Sequence, residues 1–199
     1  MTREIRLYVE GGGDGKDSKH QFRQAFGQLF RDVRQLARQN KVRWEIIACG
    51  SREAAFAAYK TALNAHRDAF NVLLVDSESA VSRPPWLHLH ECDGWMKPEE
   101  AEDRHCHLMA QAMEAWFLAD RQALAAFYGQ GFNVNALPKQ HDVEQIPKSQ
   151  LANCLNKAAR GTNKPKYHKI QHACKILERL GRCRGGLESQ ALPAFRRGN

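Results

Sequence analysis

The fold of this chain is decided by the segment NVLLVDSE at residues 71–78. Its first five residues are almost continuously apolar, a pattern typical of a strand covered on both faces, as in a parallel sheet. Two similar segments, Ile5–Val9 and Trp44–Ala48, precede it. Helical periodicity separates the three, from Ser18 to about Gln39 and from Ser51 to about Leu63. This alternation predicts a doubly wound α/β fold with a mostly parallel sheet and right-handed crossovers.

The second half of the chain is less regular. Residues 79–103 contain two adjacent prolines and two tryptophans without clear periodicity, so we expect a lid or a binding loop there. Trp86 and Trp95 would stack on the bases of a nucleic acid strand or pack into a small hydrophobic cluster, and we favour the cluster. The pattern also predicts a fourth strand at residues 105–109. Three further helices are predicted at residues 111–127, 150–160 and 168–180.

The length of the chain fits one ordinary domain, or one domain with a modest appendage. The 199 residues are 43% apolar, which is sufficient for a full core. We expect a doubly wound α/β domain of about four strands over residues 1–137, with a basic helical extension over residues 138–199 packed on it. No apolar run approaches the roughly 20 residues of a membrane helix, and the first residues do not look like a signal peptide. We therefore expect a cytoplasmic protein with no membrane partner.

The positive charge is concentrated near the C-terminus. Residues 138–199 contain 13 Lys/Arg and 4 Asp/Glu, whereas residues 1–137 contain 17 and 18. Such asymmetry is typical of proteins that bind polyanions, most often nucleic acid, although a merely soluble basic surface would look the same. The densest group holds Lys164, Lys166 and Lys169 around Tyr167, and these lysines would form either a phosphate track or a solvated helix start.

Three acidic residues follow two of the predicted strands. Glu10 follows the first strand, and Asp76 and Glu78 follow the third. If those strands are neighbours, their carboxyl ends bring the three side chains to one edge of the sheet, where ligands bind in such folds. Two negative charges 4 Å apart repel by about 4 kcal/mol at an effective dielectric constant near 20, so the group requires a cation. Oxygen ligands favour Mg²⁺ or Mn²⁺ over zinc.

The glycines after the first strand predict an anion-binding turn. Gly11, Gly12 and Gly13, with Lys16 close behind, would bring backbone N–H groups close to a phosphate. The segment is not a P-loop, because Glu10 stands where that motif requires its first glycine. It is not a dinucleotide-binding fingerprint either, because Lys16 stands at its third glycine.

The segments YVEGGGD at residues 8–14 and LLVDSE at residues 73–78 resemble the Toprim domain of topoisomerases, primases and overcoming-lysogenization-defect-type nucleases. That domain has Glu-Gly after its first strand and Asp-x-Asp after its third. The segment HLMAQAMEAWFLAD at residues 107–120 is similar to an uncharacterised prokaryotic Toprim-like family that is often encoded beside an ATPase in mobile or anti-phage defence loci.

The resemblance implies roles for individual residues. Glu10 would be the acid/base or metal-contacting glutamate, and Asp76 and Glu78 would be metal ligands. Glu78 departs from the Asp of the Toprim pattern, which puts metal affinity in question. Gln111 and Glu114 match the second segment, and Glu114 is an additional candidate acid or an ordinary helix-surface charge.

These observations together predict a Mg²⁺- or Mn²⁺-dependent nuclease acting on DNA or RNA. The resemblance alone implies that it works in anti-phage defence with an ATPase partner. One alternative is a Toprim-like module that binds nucleic acid or regulates without catalysis. Another is a phosphohydrolase acting on a small substrate. Topoisomerase activity is not expected, because it requires a nucleophilic tyrosine on another domain.

Histidines and cysteines between residues 88 and 107 raise the question of zinc. We consider that each of the pairs His88/His90 and His105/His107 could project from one face of a strand. No standard zinc spacing is present, so we expect polar core positions or solvent-facing side chains. Since no C-x-x-C pair occurs among the six cysteines, we also expect reduced thiols.

Overall fold

The computed structural model describes residues 3–164 and 166–180. Its strands are β1 (Glu4–Glu10), β2 (Arg43–Gly50), β3 (Ala69–Asp76) and β4 (Cys106–Met109). Its α-helices are α1 (Lys16–Leu29), α2 (Arg31–Gln39), α3 (Arg52–Ala65), α4 (Pro85–Asp93), α5 (Glu114–Ala119), α6 (Arg121–Tyr128), α7 (Lys148–Ala159) and α8 (Lys169–Leu180). Short 3-10 helices cover Asp103–His105, Val134–Ala136 and Val143–Gln145. None of these helices combines the length and apolar character needed to cross a bilayer.

The four strands form one sheet in the order β2-β1-β3-β4, and every neighbouring pair is parallel. This confirms the predicted α/β class and is consistent with a Toprim- or Rossmann-like sheet. β3 lies inside the sheet, and its residues from Asn71 to Asp76 are all buried, which explains their continuous apolar pattern. The carboxyl ends of β1 and β3 therefore lie side by side.

Helices cover both faces of the sheet. On one face, Leu7, Val9 and Leu74 join a large hydrophobic cluster that includes residues of α1, α5, α6, α7 and α8. On the other face, Tyr8 and Leu73 join a smaller cluster with α3 and α4. The alternation of neighbouring residues between the two clusters follows the two-residue period of a strand. The helices α7 and α8 of the basic extension thus share the larger core with the α/β domain.

The segment predicted to be irregular contains a helix that the sequence pattern did not indicate, whereas its role as a lid or binding loop stays a prediction. Residues 85–93 form α4, which begins with Pro85 in its first turn and ends at Gly94 in the left-handed conformation. Trp86 is buried and donates from its indole N–H to the Glu102 carbonyl at 3.1 Å. Trp95 stacks on Phe56 at a ring-centroid distance of 4.3 Å. The two tryptophans therefore serve the smaller cluster, as we favoured.

Two long predicted helices are each divided in the structure. The first breaks at Phe30, which separates α1 from α2. The helix predicted from residue 111 begins instead at Glu114 and breaks at Asp120. The Asp120 carboxylate accepts a hydrogen bond from the Ala123 amide at 2.8 Å and so caps α6. The periodicity continues across both breaks, which is why the sequence pattern did not reveal them.

The predicted cap of α3 is confirmed, because Ser51 Oγ accepts from the Ala54 amide at 3.2 Å.

A close backbone crossing fixes the end of α7 against the loop after α6. A Cβ atom at Gly131 would lie 2.1 Å from the Gly161 carbonyl oxygen. Nearby, the Asn133 amide donates to the Ala158 carbonyl at 2.8 Å. Two glycines are required because no side chain fits between the two segments. Residues 181–199 of the predicted extension lie outside the described residues.

We predict that Gly131→Ala destabilises the protein more than Gly94→Ala does. Both glycines have positive φ values, +87° and +69°, but nothing lies within 4 Å of a Cβ atom at Gly94. Gly94→Ala should therefore cost only the strain of the left-handed conformation, about 1–2 kcal/mol. Gly131→Ala should cost about 1–3 kcal/mol more, because the two segments must separate. Urea unfolding of both variants measures the difference, and equal losses would contradict the assignment of this crossing.

Candidate metal centre

Three carboxylates meet at the carboxyl edge of the sheet. Glu10, Asp76 and Glu78 each offer an oxygen, and these atoms all lie within 4.8 Å of one another. Asp76 is buried, Glu10 is partly buried and Glu78 is exposed, so the group opens to solvent on one side. The convergence predicted from the strand order is confirmed. Because the donors are all carboxylate oxygens, the cluster could hold a metal ion.

The Glu10 side chain is held in place by a hydrogen bond of its own and by the fixed backbone around it. Its Oε2 accepts a hydrogen bond from the Asp76 amide at 3.0 Å. The backbone around it is fixed by an irregularity in β1, after which Gly11 and Gly50 exchange two hydrogen bonds of 2.8 and 2.9 Å. Glu10 therefore points toward β3 rather than into solvent.

Asp76 is fixed from the opposite side by the start of α5. Its Oδ1 accepts from the Met113 amide at 2.9 Å, which leaves Oδ2 for the cluster. Asp76 is 3% exposed, and a buried carboxylate without such partners would be costly. The hydrogen bond explains how a charge is kept at the end of a buried strand.

Glu78 lies in a turn that is tied to the segment after β4. Glu78 and Gln111 both have positive φ values, 65° and 59°, which are unusual for residues with side chains. The Glu78 amide donates to the Gln111 carbonyl at 3.0 Å, and the Gln111 amide donates to Ser77 Oγ at 2.7 Å. The Gln111 side chain accepts from the Lys148 amide at 3.1 Å. Gln111 therefore organises the backbone around the cluster.

Two cations that the sequence analysis did not single out complete the cluster. Lys148, the first residue of α7, places Nζ 3.4 Å from Asp76 Oδ2 and in contact with Glu78 Oε1. Arg52, the first residue of α3, places Nη1 3.4 Å from Glu10 Oε2 and donates to the Asp76 carbonyl. No local sequence signal marks either residue, because their roles depend on how α3 and α7 pack.

Arg52 is positioned by Asp93 at the end of α4. The guanidinium donates from Nε to Asp93 Oδ1 at 2.9 Å and from Nη2 to Oδ2 at 2.6 Å. This bidentate pairing is the strongest geometry for such a pair. The guanidinium also lies over the Trp95 ring, 5.0 Å from its centroid. Asp93 and Trp95, from the segment expected to form a lid, thus position Arg52 beside the cluster.

Burial dominates the electrostatics of the site. It raises the pKa of Glu10, and the neighbouring Asp76 charge raises it further. Burial also raises the pKa of Asp76, even though Lys148 and Lys169 act in the opposite direction. For Lys148, burial lowers the pKa, but the ion pairs with Glu78 and Asp76 outweigh it and raise the pKa overall. The Glu10 and Asp76 carboxyls therefore hold protons more readily than free side chains do.

Glu114 is buried beside the cluster but does not belong to it. It accepts a hydrogen bond from the Tyr167 hydroxyl at 3.0 Å, and Lys169 Nζ lies 4.0 Å away. Burial and the Glu114 carboxylate raise the pKa of Tyr167, so its hydroxyl stays protonated as the donor. Glu114 is neither a helix-surface charge nor part of the three-carboxylate group. It links α5 to the segment before α8.

The glycine turn lies against the cluster, as predicted. Gly11, Gly12 and Gly13 have φ values of 124°, 88° and 62°, a conformation that only glycine adopts readily. The turn leads into α1, whose first turn has no side-chain cap and so leaves N–H groups available to an anion. Lys16 is exposed at the start of α1.

The predicted lysine track is divided between three places. Lys169 lines a cavity that also contacts Glu10 and Asp76. Lys164 donates to the Phe127 carbonyl at 3.1 Å and lies over that residue's ring, so its role is partly structural. Lys166 lies in a separate open cleft with Lys157 and Arg160. The structure does not bring the three predicted lysines together.

The histidines and cysteines between residues 88 and 107 form no metal site. His88 lies on α4 rather than on a strand, and its Nε2 is 2.8 Å from the Ser77 carbonyl. Cys106 is buried, and burial raises the pKa of its thiol. Within residues 3–164 and 166–180, the three-carboxylate group is the single cluster of potential metal ligands. The five cysteines in these residues are free thiols, as expected.

Comparison with known protein families assigns most of this chain. A model described as a domain of unknown function, DUF4276, matches residues 9–185. The chain belongs to the DUF4276 family. Searches of curated proteins and of solved structures found no match. The matched residues include the cluster, the glycine turn and both helices of the extension that the structure describes, so the family's domain contains the whole site.

We predict that Asp76→Asn and Asp76→Ala differ in stability in the absence of metal. Asparagine keeps an oxygen that accepts from the Met113 amide, whereas alanine leaves that buried N–H without a partner. Asp76→Asn should remain within about 1 kcal/mol of the unmodified protein, and Asp76→Ala should be less stable than Asp76→Asn by about 1–3 kcal/mol. Urea unfolding followed by tryptophan fluorescence measures both. Failure of Asp76→Asn to fold would show that the charge itself is structural.

Proposed function

We propose that this protein is a Toprim-like, Mg²⁺- or Mn²⁺-dependent nuclease that hydrolyses phosphodiester bonds of DNA or RNA. The observation that carries the proposal is the convergence of Glu10, Asp76 and Glu78 at the carboxyl edge of the sheet, directly beside the glycine turn. The cluster supplies metal ligands, and the turn supplies N–H groups for the phosphate. Their proximity is what a phosphodiesterase requires.

The chain's residues divide the chemical roles between them. A bound divalent ion would polarise the phosphoryl group and supply a hydroxide at neutral pH. Asp76 and Glu78 would hold that ion, and the longer side chain of Glu78 reaches the cluster from its left-handed turn. Glu10 would complete the ligand set or exchange a proton with the reacting water, for which its raised pKa is suited. Lys148 would turn from the carboxylates toward the phosphate.

A second surface, separate from the centre, fits a polyanionic substrate. An open cleft lined by Lys157, Arg160 and Lys166, with two asparagines, begins on the same helix whose first residue is Lys148. Such clefts attract the nucleic acid backbone and make its binding dependent on salt. We propose nucleic acid as the substrate class and the cytoplasm as the place of action. An ATPase partner and a role in anti-phage defence rest on the family resemblance alone.

One observation favours a non-catalytic alternative. In the structure, the Lys148 ammonium already offsets the negative charge of Asp76 and Glu78. A module that binds nucleic acid without metal would keep such an ion pair permanently. A nuclease would release it when metal binds. A third candidate function for the same centre is a phosphohydrolase that acts on a small substrate. An activity that depends only weakly on salt concentration would favour it.

We predict that Glu10→Gln abolishes metal-dependent cleavage of nucleic acid while binding persists. The amide keeps the shape of the side chain but removes the charge that metal binding or proton transfer requires. The loss should be at least about 100-fold, in line with removal of a general acid or base. Cleavage of labelled DNA and RNA with Mn²⁺, and binding by fluorescence anisotropy at several salt concentrations, provide the two measurements.

Glu99→Gln, a change of the same chemistry at an exposed position, is the matched control and should leave cleavage unchanged. Absence of metal-dependent cleavage in the unmodified protein, with salt-dependent binding retained, would favour the non-catalytic alternative. Cleavage by Glu10→Gln at the unmodified rate would remove Glu10 from the mechanism.

We predict that Mn²⁺ affinity weakens as the pH falls and that the decline begins above the usual range of carboxyl titration, about pH 4. The pKa values of Glu10 and Asp76 are raised in the folded protein, so protons return to them at higher pH and compete with the ion. Calorimetric titration between about pH 7.5 and 5 measures the change, with unfolding of the metal-free protein checked at each pH. Constant affinity over this range would contradict the prediction.

A further inference from the structure

A partly open space adjoins the carboxylate cluster and has a different chemistry from it. It is a cavity of about 270 Å³ bounded by the glycine turn, α1 and α8. Its apolar wall consists of Phe22, Met113, Ile170, Ala173 and Cys174. Glu10 and Asp76 lie at one side of it, and Lys169 also lines it. The space is therefore apolar over most of its surface and polar where it meets the metal centre.

The glycine turn packs closely against the wall of this space. A Cβ atom at Gly11 would lie 2.7 Å from the Phe22 ring, and one at Gly12 would lie 3.2 Å from the Ala48 methyl group. Side chains at these positions would have to displace the wall. The turn therefore has a second role besides the N–H groups that it offers to an anion, because it lets the Phe22 ring of α1 pack directly against it.

The size and position of the cavity restrict its occupant. Pockets for drug-sized molecules measure about 300–1,000 Å³, so this one takes a smaller group. A phosphate would lose its hydration against the apolar wall and belongs at the polar side instead. The occupant is thus a small, flat, largely apolar group joined to a phosphate, and a nucleobase meets that description.

We infer that the cavity takes one unpaired nucleobase of the substrate, next to the phosphodiester that lies at the metal centre. This inference rests on the proposed nuclease function and names its substrate more narrowly. A base within a duplex is stacked between its neighbours and cannot reach into a pocket, so the substrate is single-stranded, frayed or locally unpaired at the cleaved position. The side chain of Lys169, which is 62% exposed, stands at the cavity to contact the next phosphate along the strand.

The test compares ligands that differ only in the base. Binding of AMP and of ribose 5-phosphate is measured by calorimetry in the presence of Mn²⁺. The base should make AMP bind about tenfold to a hundredfold more tightly, the range that stacking of one base contributes. In parallel, single-stranded oligonucleotides with one abasic site moved along the sequence should lose cleavage at the position beside that site.

A substitution in the cavity wall tests whether the base binds in the cavity. Ala173→Leu narrows the space, and it should bring the affinity for AMP down to that for ribose 5-phosphate. Ala152→Leu, on an exposed position of α7, is the matched control. Both variants are checked for an unchanged Mn²⁺ affinity. If Ala173→Leu does not fold, the comparison of ligands and the abasic series on the unmodified protein still decide the question.

The outcomes separate the cavity from the metal centre. Equal affinities for the two ligands, with Mn²⁺ binding and cleavage intact, would overturn the base site and leave the proposed function standing. A preference for AMP that Ala173→Leu does not change would place the base elsewhere and also overturn it. Absence of both phosphate binding and cleavage would refute the proposed function and the base site with it.

Discussion

The repulsion between three carboxylates is the constraint on which this site depends. A pair of bare charges at 4 Å repels by about 4 kcal/mol even at an effective dielectric constant near 20, and here burial removes part of the solvent as well. The protein holds the group together because β1 and β3 are hydrogen-bonded neighbours. It offsets the charge with Lys148 and Arg52. A centre assembled at such a cost is prepared to accept a cation.

The cations divide into a fixed one and an exchangeable one. Arg52 is bound to Asp93 through two hydrogen bonds and lies against Trp95, so it is part of the framework. The Lys148 ammonium contacts the carboxylates of Asp76 and Glu78, and its long side chain is one-third exposed. A divalent ion would compete with Lys148 rather than with Arg52. Under the proposed function, the released ammonium would be available to a phosphate of the substrate.

The strand segments and the three acids could be predicted because the information is local. Continuous apolar residues in β3 indicated a strand buried on both faces, and an acid directly after β1 and β3 indicated a shared edge. Lys148 and Arg52 could not be predicted, because their partners lie 72 and 42 residues away in the chain. The break at Phe30 was hidden by an unbroken helical period. The helix α4 was missed because its proline and glycine, which cap it, also look like loop residues.

The extension is a part of the site and not a separate appendage. It contributes Lys148 to the cluster, Tyr167 to Glu114, and one wall of the apolar cavity through α8. Its helices share a core with the sheet, which agrees with a family domain that extends from residue 9 to residue 185.

A crystal soaked in Mn²⁺ and measured for anomalous scattering tests the central claim directly. We expect one strong peak between Glu10, Asp76 and Glu78 with Lys148 displaced, whereas an ion-free cluster still bridged by Lys148 at millimolar Mn²⁺ would contradict it.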